Sequence, residues 1–105
     1  MKRRKKPPYV IEYSPPSREH LAALSAGQRA SVLDEVDVQL LHQPTVVTRN
    51  RKPLQPNPLA RFELRIAELR VYYEVNEERR RVEIRAVGIK DRDRVFIGGE
   101  GIDLS

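Results

Sequence analysis

From Arg61 to Val75 the chain reads Arg-Phe-Glu-Leu-Arg-Ile-Ala-Glu-Leu-Arg-Val-Tyr-Tyr-Glu-Val, alternating polar and apolar residues twice around a short break. Such alternation predicts a β-hairpin with one wet face. A turn at Ala67 and Glu68 sets Arg65 directly opposite Arg70, Leu64 opposite Val71 and Phe62 opposite Tyr73, because side chains alternate with period two. Two arginines so placed repel unless something anionic lies between them. A nucleic-acid phosphate is one such anion. Glu63 and Glu74 share the outward face, so ordinary cross-strand ion pairs are the competing reading.

Other cations could follow a phosphate backbone. The stretch from Pro44 to Leu59 holds four prolines, shows little periodicity and carries only positive charges, at Arg49, Arg51 and Lys52. It is expected to be an extended surface loop whose basic side chains contact phosphates without reading bases; alternatively they merely solvate an apolar linker. Tyr72 is a candidate RNA contact, but aromatics on the wet face are few, which argues against base stacking as the chief mode. His20 and His42 fall on expected helices, where a lone histidine is usually neither base nor ligand. No His/Asp/Glu cluster has metal-ligand spacing, and the absence of cysteine excludes disulfides and thiolate sites. No metal or cofactor is expected.

The elements that must position these groups fit one domain, since 105 residues allow one compact core. Residues 1–8 read as a basic flexible arm and residues 9–105 as the domain. The arm is followed by too few apolar residues for a signal peptide, and no segment could span a membrane, so a soluble cytoplasmic protein is expected. The formal net charge is +5, with an acidic middle between basic flanks, a balance that favours an anionic partner.

Tyr9–Tyr13 reads as a first strand stopped by Ser14-Pro-Pro-Ser17, where a helix starts with Leu21 and Leu24 as its apolar stripe. Ser25-Ala-Gly-Gln28 matches a capping box opening a second helix, on which Val32, Leu33, Val36, Leu40 and Leu41 form the packing side. After the hairpin, Asn76–Arg80 turns the chain and Arg81–Gly88 alternates as a strand with Val82, Ile84 and Ala86 inward. Lys90-Asp-Arg-Asp-Arg94 is a charged segment before Val95-Phe-Ile97. The fold class expected is α+β, a sheet packed against an N-terminal helical hairpin.

This order, with Ile11-Glu-Tyr-Ser14, Gln43-Pro-Thr45, Thr48-Arg-Asn-Arg-Lys-Pro-Leu54, Phe62-Glu-Leu-Arg-Ile66, Leu69-Arg-Val-Tyr-Tyr-Glu-Val75 and Ala86-Val-Gly88 followed by Lys90, resembles the RelE/ParE toxin superfamily of bacterial type II toxin-antitoxin modules. The resemblance runs over nearly the whole chain from Tyr9. It implies an antiparallel sheet on two helices with a basic cleft on the open side. It also implies an acidic antitoxin as partner and, in the interferase branch, metal-free cleavage of messenger RNA, often ribosome-bound, by the RNA's own 2′-hydroxyl. Cations must then stabilise the developing phosphorane charge. On this resemblance Arg70 is the phosphate-stabilising residue, Arg61 and Arg65 anchor the scissile region, and Lys90 and Arg92 close the cleft. Phe96 stands nearest to where interferases often carry a tyrosine or histidine, and phenylalanine exchanges no proton. The alternative is a ParE-like toxin that inhibits DNA gyrase without cutting RNA, and a third reading is a non-catalytic nucleic-acid-binding module.

Overall fold

The computed structural model describes residues 6–102, so the first five residues of the expected basic arm lie outside the described residues. The elements run β1 (Val10–Tyr13), α1 (Pro15–Ala22), α2 (Ala26–Leu40), β2 (Arg51–Pro53), β3 (Phe62–Ile66), β4 (Leu69–Asn76), β5 (Arg81–Asp91), β6 (Arg94–Ile97) and β7 (Glu100–Ile102). Strands β2 to β7 lie in sequence order and pair antiparallel. β1 departs from the antiparallel expectation by pairing parallel to β5.

Local chemistry accounts for the helices. Ser14 caps α1 by accepting from the Ser17 N–H, and the following prolines occupy positions whose N–H groups have no helical acceptor. Ser25 and Gln28 close a reciprocal capping box on α2. Val32, Val36 and Leu40 are fully buried from α2, whereas Leu33, expected on the packing side, is 41% exposed. Leu33 follows Val32 and so sits about 100° round the helix from it, outside a narrow buried stripe.

The β3–β4 hairpin turns at Ala67 and Glu68, with Ala67 at φ 52°, and its register places Arg65 opposite Arg70 as expected. On the helix side Leu64, Val71, Tyr73, Val75, Val82, Ile84 and Val87 pack against Leu21, Val32, Val36 and Leu40. Between Tyr72 and Tyr73 the pairing with β5 shifts, because Tyr72 faces Ala86 while Tyr73 faces Ile84. One extra residue, Arg85, is absorbed, and the alternation changes phase. Ala86, expected inward with Val82 and Ile84, therefore lies on the opposite face. There it forms a second apolar cluster with Ala60, Tyr72 and Ile97, flanked by Leu54, Leu59, Val95 and Ile102.

β5 is long enough to serve two neighbours on one edge, β1 at its start and β6 at its end. Helix α1 fills the gap. Ser14 donates its N–H to Ile84 O and its hydroxyl to Arg85 O, while His20 Nδ1 accepts from the Val87 N–H at 3.3 Å. Beyond the gap β6 closes tightly over Gly88, where a Cβ would stand 2.8 Å from both Ile97 Cγ1 and Phe96 O. Only glycine fits so close a crossing.

Candidate functional site

Four adjacent strands each contribute one cation to the face away from the helices: Lys52 from β2, Arg65 from β3, Arg70 from β4 and Lys90 from β5. Arg65 pairs with Arg70, Arg70 with Gly88, and Lys52 with Glu63. Lys90 stands two residues beyond Gly88 and so shares its face, diagonal to Arg70. At about 4.8 Å per strand the row spans roughly 14 Å of sheet, the length of two or three nucleotide phosphates.

The two facing arginines avoid each other by separate means. Arg65 Nε lies 3.1 Å from Glu63 Oε1 on its own strand. Arg70 turns to the hairpin, where its Nη1 donates to Ala67 O at 2.6 Å and to Leu69 O at 2.8 Å. The positive φ of Ala67 belongs to the turn whose carbonyls hold that guanidinium. Arg70 is thereby 8% exposed rather than freely solvated, a charged group held by neutral dipoles.

Glu63 is the carboxylate inside the row. It is 6% exposed, and its Oε1 is shared by Arg65 and by Lys52 Nζ at 3.8 Å. Its cross-strand partner is Tyr72. The Tyr72 hydroxyl is buried with no partner in hydrogen-bond geometry. Burial first, and then the neighbouring Glu63 carboxylate, push this phenol well above its usual range, with Arg70 and Arg65 opposing.

Several expected site residues stand elsewhere. Arg61 lies four residues along β3's line from Arg65, about 13 Å at strand rise. There its Nε meets Glu74 Oε1 at 2.6 Å and its Nη2 donates to Val75 O at 2.6 Å. Arg61 therefore does not join Arg70 in one site. Arg51, expected on a solvated loop, belongs to β2 opposite Leu64, so it points to the helix side. It is buried, and its Nη1 donates to Gln39 O near the end of α2, where carbonyls lack helical partners. It therefore lies on the face opposite the row. Tyr72, expected on a wet face, is fully buried beneath the segment that carries Leu54, Leu59 and Ala60. Arg49 is exposed just before β2, and Arg92 is exposed in the β5–β6 turn at φ 57°, just past Lys90.

The role of Glu63 was partly legible, because its place on the outward face follows from alternation. Its burial was not, since nothing local says that neighbouring strands and a loop will cover it. Phe96 pairs with Ile89 and so lies on the face opposite Lys90. His20 serves the α1–β5 junction, and burial lowers its pKa while nearby Glu19 opposes that shift. Among the described residues no three His, Asp or Glu side chains converge as metal ligands. What the row offers is fixed positive charge along a line, suited to successive phosphates of a strand.

Known structures share this fold. A chain of the toxin-antitoxin complex RelBE2 from Mycobacterium tuberculosis superposes with a TM-score of 0.71 at 26% identity, covering 82% of this chain and 95% of that one. A chain of the archaeal RelE-RelB complex from Pyrococcus horikoshii OT3 superposes with a TM-score of 0.64 at 16% identity, covering 80% and 97%. No protein-family model and no curated protein sequence matches. The chain has the fold of RelE-superfamily toxins, and these neighbours support a toxin of a toxin-antitoxin module.

Proposed function

We propose that this chain, RelE-like in fold, is a toxin that cleaves messenger RNA in the cytoplasm without a metal and is silenced by an acidic antitoxin. The observation that carries the reading is the row of Lys52, Arg65, Arg70 and Lys90 on four neighbouring strands. In this reading the 2′-hydroxyl of one nucleotide gives its proton to solvent and attacks the adjacent phosphorus, the P–O5′ bond breaks, the departing 5′-oxygen takes a proton from solvent, and a 2′,3′-cyclic phosphate forms. Arg70 stabilises the charge of the phosphorane, because its guanidinium is already oriented by two turn carbonyls and needs little rearrangement. Lys90 holds the neighbouring phosphate, with Arg92 and Arg49 as outer contacts on flexible exposed positions. Lys52 and Arg65 complete the line.

An antitoxin segment rich in Asp and Glu would occupy the same cations and exclude RNA by charge, folding as it binds. Because such contacts mix charge with buried apolar area, calorimetry should find affinity that falls with salt without vanishing.

Expression of the chain alone tests the reading. Growth arrest with new 5′ ends inside coding regions, read by primer extension, is the expected result, and comparison of free with translated message reports whether the ribosome is needed. Arg70→Ala should abolish both. Intact transcripts with accumulated gyrase-cleaved DNA would reject RNA cleavage in favour of gyrase inhibition.

A further inference from the structure

Four carboxylates on the open face pair with arginines, but they are not equivalent: Glu12, which holds Arg81, has a side chain 48% exposed. Glu74 holds Arg61 and Glu83 holds Arg85 at side-chain exposures of 29% and 47%, whereas the Glu63 side chain is 8% exposed. Glu63 also differs in having two cations from neighbouring strands converge on one oxygen, Arg65 Nε at 3.1 Å and Lys52 Nζ at 3.8 Å. That is the coordination a non-bridging phosphate oxygen takes between an arginine and a lysine. The cross-strand neighbour of Glu63 is Tyr72, whose buried hydroxyl lies beside the carboxylate. Among the described residues no carboxylate lies within ion-pairing distance of Arg70 or Lys90. The row is thus divided in two.

We propose that Glu63 occupies, from within the chain, the place of a substrate phosphodiester between Lys52 and Arg65, leaving Arg70 and Lys90 as the half of the row that engages RNA first. The inference rests on the RNA reading above. Because Glu63 is buried, its attraction for the two cations is less screened than that of a surface pair. A phosphate must displace it or bind beside it, and beside it the like charges repel. Glu63 therefore sets how tightly single-stranded RNA is held and how many phosphates it places on protein cations. The same seat tells what an inhibiting partner offers: a carboxylate already satisfies Lys52 and Arg65.

The test is fluorescence anisotropy of a labelled single-stranded RNA oligonucleotide over a salt series, with the full chain and its variants. Glu63→Gln frees two cations, so it should bind about tenfold more tightly at low salt, and its log–log salt slope should steepen by roughly 1.4, about 0.7 for each added phosphate contact. Glu83→Gln removes the same charge elsewhere on this face and should change affinity less than about twofold. A second comparison does not depend on Glu63→Gln folding. In the otherwise unaltered chain, Lys90→Ala should weaken RNA binding about fivefold or more, since each phosphate contact contributes its own counterion release, while Lys52→Ala and Arg65→Ala should each cost about twofold or less. Glu63→Gln with unchanged affinity and slope, or equal losses at Lys52, Arg65 and Lys90, would overturn the assignment while leaving RNA binding intact. Failure of every protein to bind the oligonucleotide would overturn it together with the RNA reading.

Discussion

Tyr72 and Tyr73 are consecutive on β4, both fully buried, and they face opposite sides of the sheet with opposite outcomes. On the helix side Tyr73 stacks on Phe62 at 5.4 Å between ring centroids and donates its hydroxyl to Pro44 O at 2.6 Å. On the open side the Tyr72 hydroxyl lies beside the Glu63 carboxylate but outside good hydrogen-bond geometry. Arg51 and Lys52 repeat the contrast on β2: one guanidinium ends on a helix carbonyl, and the next residue's ammonium reaches toward a shared carboxylate in a row of cations. The helix side pairs the Tyr73 hydroxyl and Arg51 Nη1 but leaves Arg51 Nε buried without a partner, so each face keeps one unmatched buried donor. What sets the open side apart is charge: Glu63 is the carboxylate paired within a row of four cations.

The contrast can be broken by mutation, most forcefully in the larger core. Leu64→Ala removes a fully buried side chain between two helices and the sheet, and should cost about 2–5 kcal/mol in denaturant unfolding. Ile97→Ala in the second cluster should fall at or below the bottom of that range, because only a loop and two edge strands need settle into the space. Equal costs would mean that the open-face cluster is as rigid as the core.

Arg51→Ala should destabilise by about 1–3 kcal/mol, since it strips a charged donor from a helix-terminal carbonyl, and it should leave RNA affinity unchanged. Lys52→Ala should change stability by under about 0.5 kcal/mol, because the side chain is 44% exposed, its ammonium lies 3.8 Å away and Arg65 still pairs with Glu63. If Arg51→Ala weakened RNA binding in a chain that melts normally, its place on the helix side would be wrong.

The tyrosines give a finer test. Tyr73→Phe should lose about 1 kcal/mol with the Pro44 bond, whereas Tyr72→Phe should cost less, because its hydroxyl only approaches Glu63 without good hydrogen-bond geometry. Melting curves of the two variants side by side read the difference directly.

The smallest effect belongs to His20. Its pKa is lowered in the fold by burial, so the unfolded chain binds the proton more readily. Its contribution to stability is therefore fully present above the ordinary value of 6.5 and declines as pH falls below it, when Nδ1 must give up the Val87 N–H. His20→Leu should lose this dependence, visible as a flatter profile of melting temperature against pH below 6.5.

Much of the arrangement could be read from local pattern. Alternation across Arg61–Val75 specified the hairpin, its two-residue turn and the facing of Arg65 and Arg70. Ser25 and Gln28 marked the start of α2 because a capping box is a contact between residues three apart. Both rest on interactions within one segment, where the chain itself supplies every partner. β7 and the short strand β2 escaped detection, since three residues carry too little periodicity to register.

By itself, then, the sequence determined which residues share a face, where the second helix begins and that two arginines of the hairpin face each other. Tertiary structure decided what covers each face and how far the shared faces extend. The residue absorbed at Arg85 changed the phase of β5 and moved Ala86 to the open side, and a loop remote in sequence then buried Tyr72. Arg51 turned inward because α2 presents a carbonyl at that height, and Arg61 went to Glu74 because that carboxylate lies nearer to it than the row does. Periodicity orients a side chain relative to its own strand, but its partners come from segments folded against that strand, and their positions follow from packing the whole chain.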